Sequence, residues 1–111
     1  MTEKKFKLEP EQIKELTPLT GYSYVSDKIT VDGMNVGFMY REKPFEKEDS
    51  GWRFLSGTET EEYLDDTNNS MMFDVNTVAN YDQAIIPYLK SKIGSELERV
   101  EGGDNFQDIK D

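Results

Sequence analysis

The pair Asp32-Gly33 narrows the choice of fold more than any other short stretch of this sequence, because it favours a two-residue type I′ turn between antiparallel strands. A hairpin closed by this turn places Ile29 opposite Val36. The apolar residues of both strands then share one face, as expected for a sheet packed on a core. We predict that this core face consists of Val25, Ile29, Val31, Met34, Val36, Phe38 and Tyr40.

Further strand signals follow along the chain. Trp52-Arg53-Phe54-Leu55 predicts a strand in which Trp52 and Phe54 face the core. A second strand is predicted at 71–75, and residues 96–101 and 106–109 flank a Gly-rich turn typical of a terminal hairpin. We expect the following residues to have structural roles: Tyr40, Arg41, Trp52, Arg53 and Phe54. All three arginines, Arg41, Arg53 and Arg99, are expected to pair with acids. For Arg53 the candidate partners are Asp49, Glu59 or Glu62.

Helix signals are short. Thr58 and Glu61 have the spacing of a capping box and predict a helix through about Asp65. Asp82 is predicted to cap a helix that Gly94 ends, with Pro87 either kinking it or marking its true start; that helix contains Ile85, Ile86, Leu89 and Ile93. Residues 1–20 are predicted to form a peripheral arm, with a short helix after Pro10, and residues 21–111 a single domain.

The fold class that these elements predict is α+β, with a mostly antiparallel sheet of five or six strands and two or three short helices. The sequence contains six Phe, six Tyr and one Trp, which supply large buried areas for one core.

The sequence has no Cys and no His. This composition excludes disulfides, thiolate chemistry and the usual imidazole bases and zinc ligands. We expect no cofactor and no metal. The run Asp66–Ser70 resembles the start of a calcium loop, but the loop lacks its Gly and ends at Thr77 rather than Glu, so an Asn/Asp turn is favoured. The catalytic alternative that remains is a small hydrolase with a carboxylate pair.

The acids are unevenly distributed. Residues 1–20 contain four Lys and four Glu, so the net charge of −10 arises in residues 21–111. No Lys or Arg occurs between Arg53 and Lys90. Such a surface repels nucleic acid and anionic lipid and accelerates encounter with a basic protein. A solvated face that only maintains solubility is the alternative. The candidate partner-binding residues are Glu59, Glu61, Glu62, Asp65 and Asp66.

Apolar runs in this sequence are all shorter than the roughly 20 residues that span a bilayer. The N-terminus also lacks the apolar stretch of a secretory signal. We therefore expect a cytoplasmic protein that has no membrane or nucleic-acid partner.

Several blocks in combination resemble the immunity protein 33 domain family, over about residues 22–109. The blocks are Val36-Gly37-Phe38-Met39-Tyr40-Arg41-Glu42, Asp49-Ser50-Gly51-Trp52-Arg53-Phe54-Leu55-Ser56-Gly57, Glu62-Tyr63-Leu64-Asp65-Asp66 and Asn80-Tyr81-Asp82 with Ile85-Ile86-Pro87 and Gly94.

This resemblance implies a bacterial protein that binds and neutralises a cognate toxin of a polymorphic or contact-dependent system, and it implies no catalytic residue. An acidic surface would suit a toxin with a basic surface. A regulatory interaction module without a toxin partner is the first alternative, and the carboxylate-dependent hydrolase is the second.

Overall fold

A computed structural model of the chain describes residues 4–18 and 21–109. Residues 1–3 and 19–20 of the predicted N-terminal arm, and residues 110–111, lie outside the described part. The described chain forms one six-stranded sheet with short helices. The α+β prediction is confirmed.

The elements follow one another at short intervals. The strands are β1 (Tyr22–Ser26), β2 (Phe38–Arg41), β3 (Asp49–Leu55), β4 (Ser70–Asp74), β5 (Glu96–Arg99) and β6 (Phe106–Asp108). The α-helices are α1 (Asp27–Thr30), α2 (Glu61–Asp65) and α3 (Val75–Tyr81), and the 3-10 helices are Pro10–Gln12, Thr67–Asn69 and Gln83–Tyr88.

The strand order is β4-β1-β3-β2-β5-β6. Strand β1 pairs parallel with β3, and every other neighbouring pair is antiparallel. The predicted terminal hairpin is confirmed, because Arg99 of β5 lies opposite Phe106 of β6. The central strand β3 is almost wholly buried, so it supports the rest of the sheet.

One face of the sheet, which we call the covered face, packs against α3 and the 3-10 helix Gln83–Tyr88. From the sheet it presents Val25, Met39, Trp52, Phe54 and Leu97, and from the helices it receives Val75, Val78, Ala79 and Ile85. Trp52 and Phe54 have no exposed surface, and their rings stack at 5.9 Å between centroids. Both are core residues, as the alternation of their strand predicts.

The predicted hairpin around Asp32-Gly33 is wrong. Residues Asp27–Thr30 form α1, whose first turn is capped by the Ser26 hydroxyl, which accepts the amide of Lys28 at 3.2 Å. Gly33 has a φ of 81° and ends the helix, since its amide donates to the carbonyl of Ile29 at 3.2 Å. A glycine at positive φ closes helices as well as hairpins. Asp32 has no positive φ, although a type I′ turn requires one.

The predicted core face is also wrong in part, because it was based on the register of that hairpin. Val25, Ile29 and Val36 are fully buried, but Met34 is 40% exposed. Met39 faces the core opposite Phe54, so its neighbours in β2 point to the other side of the sheet. Those neighbours are Phe38 and Tyr40, which the hairpin register had placed in the core.

The helix boundaries also differ from the prediction. The cap of α2 is Thr60, whose hydroxyl accepts the amide of Tyr63 at 3.1 Å, and not Thr58. The helix α3 escaped prediction because its residues are poor helix formers and no side chain caps its start. Asp82 does cap the next helix, but that helix is a 3-10 helix with Pro87 inside it and ends before Gly94.

The described part of the N-terminal arm lies along α3 and contains the 3-10 helix Pro10–Gln12. The amide groups of Asn76 and Asn80 exchange hydrogen bonds with the backbone of Lys14. The ring of Phe6 meets that of Phe73 edge-on at 5.3 Å. The arm therefore covers the outer side of the helix layer.

Candidate protein-binding surface

Helix α2 presents four of the predicted binding residues to solvent, and Glu61, Glu62, Asp65 and Asp66 are all exposed. We call these four residues the acidic patch. Within the described chain, no Lys or Arg forms a salt bridge with any of them. None of the four carboxylates is therefore neutralised by a salt bridge within the described residues, and Leu64 beside them is 49% exposed.

Asp66 has an additional structural contact. Its carboxylate caps the 3-10 helix Thr67–Asn69 by accepting the amide of Asn68 at 2.9 Å. The predicted Asn/Asp turn is therefore present. Within residues 4–18 and 21–109, no group of three or more Asp or Glu residues is arranged to hold a metal ion.

Glu59, the fifth predicted binding residue, differs from the acidic patch because its carboxylate is held in internal hydrogen bonds. Its carboxylate accepts hydrogen bonds from the amide of Ser56 at 2.8 Å and from the amide of Gly57 at 3.0 Å. Burial raises the pKa of Glu59, but hydrogen bonds from Ser26 and Ser56 outweigh it and lower the pKa overall. Glu59 thus fixes the turn between β3 and α2 and orients the acidic patch.

Within the described residues, no α-helix packs over the centre of the face opposite the covered face, and we call this face the open face. It presents Tyr22, Tyr24, Phe38, Tyr40, Arg53, Leu55 and Met72. Most of these side chains are half-buried, and Met72 is 51% exposed. Phe45, in the loop between β2 and β3, is 76% exposed beside them. Sequence reasoning missed this surface, although aromatics at alternate positions 22, 24, 38 and 40 were a usable signal.

Arg53 lies at the centre of the open face and is only 4% exposed. Its guanidinium donates to Asp49 at 2.8 and 3.0 Å and to Glu42 at 2.6 Å. Of the three predicted partners, Asp49 is confirmed. The Arg53 hydrogen bonds hold the pKa of Asp49 far below its usual range, although burial opposes them. Burial lowers the pKa of Arg53, but its bonds to Asp49 and Glu42 raise it overall.

A bulge in β3 brings Asp49 and Arg53 together. The register of β1 with β3 shifts between Tyr22 and Tyr24, and Gly51 in the shifted segment has a φ of 86°. A side chain at Gly51 would also collide with the carbonyl of Glu42. Glycine at this position is therefore required for the ion pair.

The other two arginines are on the covered side. Arg99 forms salt bridges with Asp82 and Asp104, as predicted. Arg41 forms no salt bridge with any acid of the described residues. It donates to the carbonyls of Ser50 and Ser91, both at 2.9 Å, and lies over the Trp52 ring at 5.6 Å.

A groove of about 490 Å³ lies at the end of the open face nearest α2. Its apolar wall contains Phe38, Leu55, Leu64 and Val100, and Glu98 and Glu101 also line it. Val100 is 40% exposed, and Glu98 and Glu101 are exposed as well. The groove thus joins the acidic patch to the open face.

A carboxylate hydrolase would need an acid with a raised pKa. The pKa values of Asp49 and Glu59 are instead both lowered. Both are also held in internal hydrogen bonds. The arrangement gives the hydrolase alternative no specific support.

None of the helices in the described ranges combines the length and the apolar character needed to cross a bilayer. Comparison with curated proteins gave no significant match, and comparison with solved structures gave none either. A family model does match the chain. It is described as the immunity protein Imm33 domain, and it matches residues 23–110, which include every strand except the first residue of β1. This chain therefore belongs to the Imm33 immunity protein family.

Proposed function

We propose that this chain is a cytoplasmic immunity protein that binds its cognate protein toxin directly and neutralises it by occluding the toxin's active surface. Membership of the Imm33 family supports this proposal. Neutralisation by contact needs a recognition surface and no catalytic group, cofactor or metal.

The acidic patch is the observation that carries the proposed mechanism. Its carboxylates are exposed on α2 and none has a basic partner within the described chain. Uncompensated charge of this kind attracts a basic surface and raises the association rate. A toxin that acts on nucleic acid would offer such a basic surface, because it must bind phosphates.

Co-expression with the product of the adjacent gene, as the candidate toxin, tests the function. We expect cells to survive and the two chains to copurify as a complex. Survival without copurification would contradict occlusion, and continued killing would contradict the immunity function. Copurification of a metabolic or ribosomal protein in place of the toxin would instead support the regulatory interaction module.

A charge-neutralised variant tests the patch. Replacing Glu61 and Glu62 by Gln and Asp65 by Asn removes three charges and leaves the cap made by Asp66. We expect association with the toxin at low salt to slow by roughly tenfold, with a weaker salt dependence. The measurement is the on-rate in surface plasmon resonance at several ionic strengths.

The matched control removes three exposed charges elsewhere, by Glu11→Gln, Glu15→Gln and Asp32→Asn. We expect this control to change the on-rate much less. Equal slowing by both variants would show that net charge alone steers the toxin, and the acidic patch would lose its special role.

A further inference from the structure

The open face has the composition of a recognition surface. Tyr24, Phe38 and Tyr40 lie on it half-buried, while Phe45 and Met72 are 76% and 51% exposed. Aromatic residues, Met and Arg are the side chains enriched at protein interfaces, and contiguous exposed apolar patches on soluble proteins mark binding sites. On the covered face, by contrast, helices bury the equivalent side chains.

The charge on the open face is negative. Glu96 lies opposite Tyr40 and Glu98 opposite Phe38, so both acids point to the same side as these rings. Asp49 and Glu42 together exceed the single positive charge of Arg53. A partner that covers this face must therefore bring positive charge.

The rings of the open face already bind a cation. The guanidinium carbon of Arg53 lies 4.8 Å from the centre of the Tyr24 ring and 5.7 Å from that of Phe45. Phe45 is 76% exposed, so its ring keeps surface that is available to a second cation. Arg and Lys side chains stack well on such rings.

We propose that the open face is where the toxin is anchored, with a basic segment of the toxin lying over Tyr24, Tyr40 and Phe45 and paired with Glu96 and Glu98. This inference rests on the proposed function and names the surface that performs it. The acidic patch guides the toxin to the immunity protein, and the open face holds it there. An Arg or Lys of the same segment fills the groove, with its aliphatic stem against Phe38 and Leu64 and its charge at Glu98.

The two surfaces differ in the rate constant that they control. Rim charges act mainly on association, while buried aromatic contacts act mainly on dissociation. Variants that truncate the rings of the open face should therefore release the toxin faster without changing the salt dependence of association.

The test uses Phe45→Ala, which changes a mostly exposed side chain, and Tyr40→Ala as a second variant. The probe is the toxin identified by the co-expression experiment. We expect Phe45→Ala and Tyr40→Ala each to raise the dissociation rate at least roughly tenfold. The matched control is Ile93→Ala, which truncates an apolar side chain of 54% exposure in the segment after the 3-10 helix Gln83–Tyr88 and should leave dissociation unchanged.

The outcomes separate the inference from the function. If the wild-type chain binds the toxin and the Phe45 and Tyr40 variants release it as slowly as wild type, the inference is overturned and the function stands. If the wild-type chain does not bind the toxin, the proposed function is overturned and the inference with it. Sedimentation of the free chain adds a check, because a dimer that Phe45→Ala dissolves would show that a second copy covers the open face.

Discussion

The two faces of the sheet contain similar side chains but use them differently. On the covered face, Trp52 and Phe54 have no exposed surface and pack against α3 and its neighbours. On the open face, Tyr24 and Tyr40 keep part of their surface in contact with solvent around a neutralised arginine. The comparison teaches that in this sheet the number of aromatic residues does not measure the size of the core.

The largest expected difference between the faces is in stability. Phe54→Ala empties a site on the covered face and should lower the free energy of unfolding by about 4 kcal/mol. Phe45→Ala on the open side should change it by less than about 0.5 kcal/mol, because Phe45 is mostly exposed. Urea denaturation of both variants makes the comparison, and equal losses would contradict the division between the faces.

The next effect concerns the ion pair at the centre of the open face. Asp49→Asn leaves the buried guanidinium of Arg53 with only Glu42 and should cost about 3 kcal/mol at pH 7. Asp104→Asn is the matched control, since Asp104 is 89% exposed in its salt bridge with Arg99 and should cost less than about 1 kcal/mol.

The same pair predicts a pH dependence. The folded pKa of Asp49 is lowered, so its stabilisation is complete above the ordinary Asp pKa of about 3.9 and is lost as the pH falls below that value. Urea denaturation at pH 7 and pH 3 should show a larger loss in the wild-type chain than in Asp49→Asn. Parallel losses in both chains would show that Asp49 does not carry this dependence.

The smallest expected effect is a difference in stability between variants of two neighbouring acids, Glu59 and Glu61. Glu59→Gln weakens the hydrogen bonds to the amides of Ser56 and Gly57 and should cost about 1 kcal/mol. Glu61→Gln changes an exposed side chain with no partner in the described chain and should cost less than about 0.5 kcal/mol. Thermal unfolding at pH 7 compares the two variants. An equal loss of stability would show that Glu59 is no more structural than the acidic patch.

Local patterns in the sequence predicted the strands whose alternation is unambiguous. Trp52 and Phe54 alternate with Arg53, and the terminal hairpin is flanked by a clear Gly-rich turn, so both predictions are confirmed. The pair Asp32-Gly33 failed because a glycine at positive φ suits a helix end as well as a hairpin turn. Only tertiary contacts, such as the pairing of β1 with β3, decide between the two.

The exposed acids of the candidate site could be predicted from the sequence, but the aromatic surface of the open face could not. Exposure of Glu61 and Asp65 follows from their charge, and the absence of basic residues between Arg53 and Lys90 means that no basic neighbour in the sequence can pair with them. The open face could not be predicted, because β2 has apolar residues on both sides and the register of Met39 decides which side is buried. An error of one residue in that register moves Phe38 and Tyr40 to the opposite face.

The position of β1 between two strands that are made later affects when the protein can fold during translation. β1 leaves the ribosome before the other strands, but its two edges pair with β3 and with β4, which is made much later. The strand that carries Tyr24 therefore stays only partly paired until most of the chain is synthesised. A product that terminates before β4 would therefore leave the outer edge of β1 without a partner strand.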